Sequence, residues 1–342
     1  MREKVKALWR LCFDDSEAFI DLYFRLRWNE NVNKAITKDG KLIAALQMLP
    51  YQMTFFGNLI STSYISGACT HPDYRKKGYM KELISSSFKT MLNDKIAFSV
   101  LIPAGAKLYE YYAHLGYATV FYYTKYSVSD QLPPDYDNSL SIDRAKTYHP
   151  DVYSYLSSMM NNQPCYIQHT EEDLKIINAD LTVSGGGLYY AQKGGKIVGT
   201  AIVNEAKEEK IILELFANNK EIENSLYQAI SNRFKGSKVS RILPVHDSLQ
   251  EGIKTHQYGM ARIIDAPQVL EIYAKRNPDK KVSLKITDEL LPANNGFYLI
   301  ENGFCSYNNK HQLSKNFIEI GIRELTSRIL LPLHPGMSLM MD

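Results

Sequence analysis

A chain of 342 residues, 45% hydrophobic and 23% charged, has the composition of a globular protein, and its length predicts two or three domains. The formal net charge of +3 is too small for a dedicated nucleic-acid binder, which would carry a strong basic stripe. The four cysteines lie far apart in sequence, which argues against a structural zinc site or a disulfide framework and favours a reducing cytoplasm.

The N-terminal segment, residues 3–27, has charges distributed among its apolar residues. This pattern predicts one or two amphipathic helices rather than a secretory signal peptide. No stretch of the chain approaches the roughly 18 consecutive apolar residues that a membrane-spanning helix needs. We therefore expect a cytoplasmic protein without a membrane partner.

A β-hairpin is predicted next, because Asp39 and Gly40 separate two apolar runs, and an Asp-Gly pair in this position is a strong hairpin signal. A turn at Gly57 then leads into a strand that ends near residue 70. The elements expected further along are a strand at 96–102, a helix at 107–115 that ends at a glycine, and a strand at 117–128.

Residues 66–88, SGACTHPDYRKKGYMKELISSSF, predict a strand, a basic turn and a helix in that order. Pro72 favours the turn, and apolar residues recur at helical spacing from Met80 onwards. The first N–H groups of a helix have no intrahelical partner and attract anions, and Gly78 allows the backbone to approach a phosphate closely. Arg75 and the two lysines after it add positive charge. The stretch therefore predicts a site for a pyrophosphate.

A Pro-rich linker at residues 131–137 precedes a second unit that echoes the first. Residues 190–199 repeat the strand, K-x-G-K turn and strand of residues 35–44, and the elements that follow continue the match. This order predicts an internal duplication, although shared hairpin chemistry alone would also give such an echo. The strand-to-helix turn of the second copy, residues 217–220, lacks Arg-x-x-Gly, so this copy is expected to bind no pyrophosphate.

The motif at 66–88 resembles motif A of the GCN5-related N-acetyltransferases (GNAT), the loop that cradles the pyrophosphate of acetyl-CoA. Residues 108–117, LYEYYAHLGY, resemble the Y-x-x-x-G-F/Y element of the same family. The layout of the whole chain resembles the Eis-like branch, in which an active GNAT domain precedes a degenerate GNAT domain and a sterol-carrier-like domain. Residues 283–296 look like the opening of that last domain, which is shorter here than is usual in the family.

The resemblance implies an α/β (α+β) fold with tandem GNAT folds, mixed central sheets flanked by helices, and a small α+β C-terminal domain. The expected domains are a catalytic GNAT domain at 1–130, a degenerate GNAT-like domain at 138–275, and a shortened sterol-carrier-like domain at 276–342 that delivers the C-terminus.

The resemblance also implies that acetyl-CoA is the co-substrate, with pantetheine on a strand edge and pyrophosphate on the basic turn; no metal is expected. The expected cofactor-binding residues are Ala68, Cys69, Thr70, Arg75, Lys76, Lys77, Gly78, Tyr79, Met80, Lys81 and Lys107. Cys69 as a covalent nucleophile is the weaker alternative, because the sequence shows no His–Asp partnership for it. Many family members carry Gly or Ala where Met80 stands, and this departure favours the Eis-like branch.

By motif register, Tyr112 is expected to protonate the departing thiolate, since a phenol with a pKa of about 10 can donate a proton to a thiolate whose pKa is about 8.5. Tyr109 and Tyr111 compete for this role, a purely structural core tyrosine is the alternative, and His114 is a weaker candidate base. Eis-like enzymes use their C-terminal carboxylate as the base, which here is that of Asp342. The apolar tail before it is expected to be tucked against protein, in the active site or, alternatively, on a distant surface.

The acceptor is expected near the break after the N-terminal helices, where Glu30 could attract a cationic amine; an ordinary exposed loop is an equal alternative. The sequence thus favours an acetyl-CoA-dependent N-acetyltransferase acting on a primary amine of a small molecule or a lysine. A catalytically lapsed acyl-CoA-binding scaffold competes with it, and acyl transfer to an oxygen or a peptide is a third option. We expect no nucleic-acid partner, and homo-oligomerisation stays open.

Overall fold

The computed structural model describes residues 1–128, 137, 139–206, 209–245, 254–309, 316–338 and 340. The helices in these ranges are α1 Arg2–Cys12, α2 Glu17–Leu26, α3 Tyr79–Asn93, α4 Ala106–Ala113, α5 Pro150–Asn161, α6 Glu171–Val183, α7 Lys220–Arg233, α8 Ala266–Arg276 and α9 Ile322–Leu330. The strands of the N-terminal part are β1 Asn33–Lys38, β2 Lys41–Phe55, β3 Asn58–Thr70, β4 Phe98–Leu101 and β5 Ala118–Ser127. Those that follow are β6 Ser141–Ala145, β7 Cys165–Gln168, β8 Gly187–Lys193, β9 Lys196–Ala206, β10 Glu209–Ala217, β11 Lys238–Pro244, β12 Thr255–Ile263, β13 Val282–Thr287, β14 Gly296–Glu301, β15 Phe304–Asn308 and β16 Ile318–Gly321.

One large mixed sheet has the strand order β1-β2-β3-β4-β12-β5-β11-β10-β9-β8-β6, with β7 paired to the end of β2. Its ten strands from β1 to β8 are symmetric about the central β12–β5 pair: β1 to β4 on one side correspond to β8 to β11 on the other. Strands β3 and β4 pair in parallel, and so do their counterparts β10 and β11. The internal duplication predicted from the repeated hairpin is therefore present in the topology.

The last strand of each unit is exchanged between the units. Strand β12 pairs antiparallel with β4 and with β5, while β5 pairs antiparallel with β11. A segment from the range 138–275 thus fills the gap between two strands of the range 1–130. The two expected GNAT ranges share one continuous sheet, because each lacks a central strand without the other.

Side-chain caps mark the start of several helices. Helix α2 begins after Ser16, whose Oγ accepts a hydrogen bond from the Phe19 N–H, and α6 begins with a capping box between Thr170 and Asp173. Helix α3 differs, because its N-cap is Gly78, with φ of +85° and no side chain to satisfy the first N–H groups. These N–H groups therefore remain available to an external anion.

The C-terminal unit is a four-stranded sheet of order β15-β14-β13-β16 with α8 and α9, and α9 packs on β5 and β12 of the large sheet. An unexposed ion pair ties the two sheets together. Arg262 of β12 donates to Asp288 at 2.6 Å and to the Leu115 carbonyl at 2.9 Å, and its guanidinium lies 4.1 Å from the centre of the Phe88 ring. Burial lowers the pKa of Arg262 from its ordinary value.

Among the described residues, no helix is long and apolar enough to cross a membrane.

Candidate active site

A cavity of about 640 Å³ opens between the end of β3, the start of α3 and helix α4. Its walls come from both ends of the motif at 66–88, from the end of α1 and from α4. The lining residues are Cys12, Phe13, Ala68, Cys69, Thr70, Tyr74, Arg75, Lys76, Gly78, Tyr79, Met80, Lys81, Ala104, Leu108, Tyr111 and Tyr112. The fold therefore brings together ten of the expected site residues, which come from two separate motifs of the chain.

The cavity exists because β3 and β4 separate. Their parallel pairing covers only residues 62–64 of β3 with 98–100 of β4, and β4 ends at Leu101 while β3 continues to Thr70. Within the described ranges, no strand replaces β4 along this last part of β3. The backbone at 68–70 thus presents an open strand edge, which an extended amide-containing chain such as pantetheine could join.

A β-bulge interrupts β3 immediately before this edge. Gln47 of β2 pairs with Ser66, but Ala45 pairs with Cys69, so β3 carries one extra residue. The extra residue is accommodated by Gly67 at φ of +59°, and a Cβ there would lie 2.2 Å from the ring of Trp9. The bulge therefore interrupts the hydrogen bonding of β3 to β2 immediately before the strand edge at 68–70.

The basic turn between β3 and α3 also has a left-handed backbone. Lys76 has φ of +60° and Gly78 has φ of +85°, so successive N–H groups form a concave anion-binding turn at the start of α3. Arg75 donates from Nε to the Thr70 carbonyl at 3.1 Å, while Lys77 folds back and donates to the Asp73 carbonyl at 2.8 Å. A pyrophosphate fits this donor set, with Arg75 and Lys76 in the cavity wall and Lys77 outside it.

The corresponding turn in the second unit is closed. The N-cap of α7 is Asn219, whose side chain accepts the hydrogen bond from the Ile222 N–H at 2.9 Å. A first-turn N–H that α3 leaves open is thus already satisfied in α7. This difference supports the expectation that only the first unit holds a pyrophosphate.

Tyr112 lines the cavity from α4 and is 7% exposed. Burial, with smaller contributions from Tyr117 and Tyr111, raises the pKa of Tyr112 far above its ordinary value, so its hydroxyl stays protonated at neutral pH. Tyr111 also lines the cavity, whereas the Tyr109 hydroxyl donates to the Tyr258 carbonyl at 2.9 Å. The exposed His114 lies 2.8 Å through Nδ1 from the Glu110 carbonyl, away from the cavity wall.

The C-terminal tail runs beside the place where β3 and β4 part. Gly336 exchanges backbone hydrogen bonds with β7, donating to Cys165 at 2.9 Å and accepting from Ile167 at 3.0 Å. The side chain of Met337 packs against Gly259 of β12, close to the Leu101 carbonyl. Met337 and Met340 are 6% and 1% exposed, so the tail is tucked in as expected, while Asp342 lies outside the described residues.

Buried polar residues hold this tail. Glu214 accepts hydrogen bonds from the Ser338 and Tyr166 hydroxyls, each at 2.6 Å. Next to them, His169 is fully buried, and burial lowers its pKa from the ordinary value. Nearby, Arg27 pairs with Asp173 and also donates to Tyr51. This cluster joins α2, β2, β7, α6 and β10 around the tail.

Two further expected site residues lie outside the cavity wall. Glu30 is 59% exposed and lies 3.8 Å from the N-terminal ammonium group. Lys107 is exposed in the first turn of α4. The sequence analysis did not identify Gly67, Trp9 or Gly259 as site residues. The signal available for positions 67 and 259 was an isolated glycine within a strand pattern, which often marks a bulge or a place where another part of the molecule approaches the backbone closely.

Among the described residues, no group of three or more His, Cys, Asp or Glu side chains could hold a metal ion.

The chain matches known acetyltransferases in sequence profile and in fold. The profile of the family described as "Acetyltransferase (GNAT) domain" matches residues 2–120. No curated protein matches the chain in sequence.

Several solved structures share the fold over nearly the whole chain. A probable N-acyltransferase from Enterococcus faecalis has a TM-score of 0.78 at 17% identity, covering 95% of this chain and 86% of that one. A GCN5-related N-acetyltransferase from Anabaena variabilis has a TM-score of 0.77 at 18% identity, covering 98% and 96%. Eis1 from Mycobacterium abscessus has a TM-score of 0.73 at 12% identity, covering 96% and 87%.

The solved structures confirm the expected α/β class with tandem GNAT-like units, and the profile relates residues 2–120 to acetyltransferases. Residues 2–120 of this chain are thus similar in sequence to a GNAT acetyltransferase domain, and the whole chain shares its fold with Eis1.

Proposed function

We propose that this protein is an N-acetyltransferase that transfers the acetyl group of acetyl-CoA to a primary amine of a small molecule or a lysine. The observation that carries the proposal is the cavity in which an open strand edge, an anion-binding turn and Tyr112 meet. Pantetheine would pair with the edge at 68–70, and the pyrophosphate would sit on the turn of Lys76 and Gly78. The GNAT profile at residues 2–120 supports the same assignment.

The proposed reaction is a direct attack on the thioester. The amine nitrogen forms a bond to the carbonyl carbon, the oxygen carries the developing negative charge, and the C–S bond then breaks. Backbone N–H groups at the Gly67 bulge stabilise the oxyanion, and Tyr112 donates its proton to the departing sulfur. The raised pKa of Tyr112 means that its hydroxyl is protonated at neutral pH and available to the sulfur as negative charge develops there.

The amine must lose a proton before or during the attack. We propose that the α-carboxylate of Asp342 accepts this proton as the general base, because the anchored tail at residues 336–338 leads into the protein beside the end of β4. A short peptide or tag added after Asp342 is expected to reduce turnover strongly while leaving CoA binding unchanged. Undiminished turnover of the extended protein would rule out this role.

The principal experiment measures thiol release from acetyl-CoA across a panel of primary amines. Tyr112→Phe is expected to lower kcat by about 10²- to 10⁴-fold, the usual contribution of a general acid, with a small change in the dissociation constant for CoA. Tyr111→Phe is the matched control, since it removes a neighbouring cavity hydroxyl from the same helix and is expected to have a much smaller effect. A larger loss with Tyr111→Phe would move the acid role to that residue.

The competing scaffold function predicts a different pattern. CoA would bind, but no amine would release its thiol above the rate of uncatalysed hydrolysis. That outcome, across small amines, polyamines and lysine peptides, would refute the transferase proposal and favour acyl-CoA binding without catalysis.

A further inference from the structure

Two cysteines that are far apart in sequence meet in the wall of the large cavity. Cys12 ends helix α1 and is half-buried, and Cys69 lies on the open edge of β3 and is buried. Cys12 packs against the apolar cluster that contains Cys69, and its Sγ donates at 3.4 Å to the carbonyl of Thr70, the next residue along β3. The proposed transferase mechanism uses neither thiol.

The surroundings of Cys12 favour its thiolate. The neighbouring Cys69 thiol and the guanidinium of Arg75 lower the pKa of the Cys12 thiol to about 6, whereas the pKa of Cys69 is raised. The other two cysteines differ, because burial raises the pKa of Cys305 to about 11 and that of the fully buried Cys165 still further. Cys12 is thus the thiol that combines exposure with a neighbouring cation and a second sulfur.

We propose that Cys12 and Cys69 form a redox modification site that reacts with peroxides and closes the acetyl-CoA cavity. The inference is carried by the position of both side chains in one cavity wall, where the Cys12 thiol reaches the carbonyl of the residue next to Cys69. A disulfide needs an S–S bond of about 2.05 Å, so the two neighbouring side chains must turn towards each other to form it. The closing of the cavity rests on the proposed function, while the chemistry of the two thiols does not.

The oxidant is a peroxide. The Cys12 thiolate attacks one peroxide oxygen and the O–O bond breaks, which leaves a sulfenic acid on Cys12 and releases hydroxide or alkoxide. The Cys69 thiol then attacks the Cys12 sulfur, so that the S–S bond forms, the S–O bond breaks and water leaves. The two thiols lose two electrons in total, and the peroxide gains them.

The disulfide would tie the end of α1 to the strand edge that pantetheine is proposed to join. Arg75 lies at the boundary between the strand edge and the anion-binding turn, and the disulfide would remove the thiolate beside it. We therefore expect oxidised protein to bind CoA at least tenfold more weakly than reduced protein.

The first test treats the full-length protein with a small excess of hydrogen peroxide and measures intact mass and non-reduced peptides. The expected result is a mass lower by two hydrogens, a peptide pair joined through Cys12 and Cys69, and reversal by dithiothreitol. In Cys69→Ser the sulfenic acid on Cys12 has no partner and should be trapped by dimedone. Cys305→Ser is the matched control and should form the disulfide as the unaltered protein does. Oxidation of Cys305 before Cys12, or no linked peptide, would overturn the proposal.

The second test measures CoA binding by calorimetry before and after oxidation. Loss of binding on oxidation and its return on reduction would support closure of the cavity. A complete disulfide with unchanged CoA affinity would overturn it. Reduced protein that fails to bind CoA would instead refute the proposed function, while the mass measurement would still decide whether the redox site exists.

Discussion

Replacing Gly67 by Ala tests the bulge on which the proposed oxyanion donor depends. The new Cβ would lie 2.2 Å from one carbon of the Trp9 ring and 3.0 Å from two others, closer than side-chain atoms can pack. Trp9 has little room to move, because it is 2% exposed, packs on three aromatic rings and donates from Nε1 to Asp15 at 2.7 Å.

The expected cost has two parts. A non-glycine residue in the left-handed region costs about 1–2 kcal/mol, and forcing an extra methyl group into a packed core costs about 1–3 kcal/mol. Gly67→Ala should therefore destabilise the fold by about 2–5 kcal/mol. Gly57→Ala is the matched control, since Gly57 has φ of +77° and a methyl group added there would meet no atom within 4 Å, so only the backbone cost applies.

Urea denaturation followed by circular dichroism compares the two variants, and a Trp9→Leu background isolates the steric part. In that background, Gly67→Ala should destabilise the protein by little more than Gly57→Ala does, because the clash with the Trp9 ring is gone. Equal destabilisation by the two alanines, or an excess that persists without the Trp9 ring, would refute the reasoning. A folded Gly67→Ala protein is also expected to show reduced acetyl transfer, because we propose that the bulge carries the oxyanion donor.

Three other outcomes follow from the same structure. Asp288→Ala leaves Arg262 buried without its partner and should lower the free energy of unfolding by about 3–5 kcal/mol. Glu324→Ala breaks an exposed ion pair on α9 and should lower it by less than about 1 kcal/mol. Similar losses in the two variants would contradict the buried-pair argument. His169 faces Arg27, Asp173, Glu214 and the Ser338 backbone, and its pKa is lowered by burial. As the pH falls, the unfolded chain therefore takes up a proton on this histidine before the folded protein does, so stability should fall below about pH 6.5. His169→Gln should weaken this loss in denaturation curves measured on both sides of that pH. Gly259→Ala would place a methyl group 2.2 Å from the flexible end of Met337 and 3.2 Å from the Leu101 carbonyl and the Phe121 ring. We expect Met337 to be displaced and the C-terminal tail to be proteolysed faster; an unchanged cleavage rate would show that the tail does not depend on this contact.

The sequence predicted the local elements around the site well, because these depend on short-range chemistry. The Asp-Gly turn, the Pro-containing turn and the helix start at Gly78 lie where their residues indicated, and the expected strand at 282–287 is β13. The expected residues Arg75 and Tyr112 share one cavity, as their motifs implied. In each case a few adjacent residues determine the backbone conformation, so a local pattern is sufficient.

Three features had no sufficient local signal. The exchange of β12 and β5 depends on which strand edges are left free after both units fold. The residues of β12, 255–263, contain no pattern that predicts its pairing with β4 and β5. The contact of Cys12 with Cys69 depends on how α1 packs across β3. The course of the tail depends on a hydrogen bond between Ser338 and Glu214, which are 124 positions apart.

The sequence by itself thus determined the family motif, the anion-binding turn and the candidate acid, because these are written in consecutive residues. Only the tertiary structure decided that two repeated units share one sheet, that β3 and β4 separate to open the cavity, and that the tail runs beside this opening. The physical reason is that the partner of each strand and the burial of each side chain depend on segments that are distant in sequence. A strand edge becomes a binding site only when no other segment takes its hydrogen bonds.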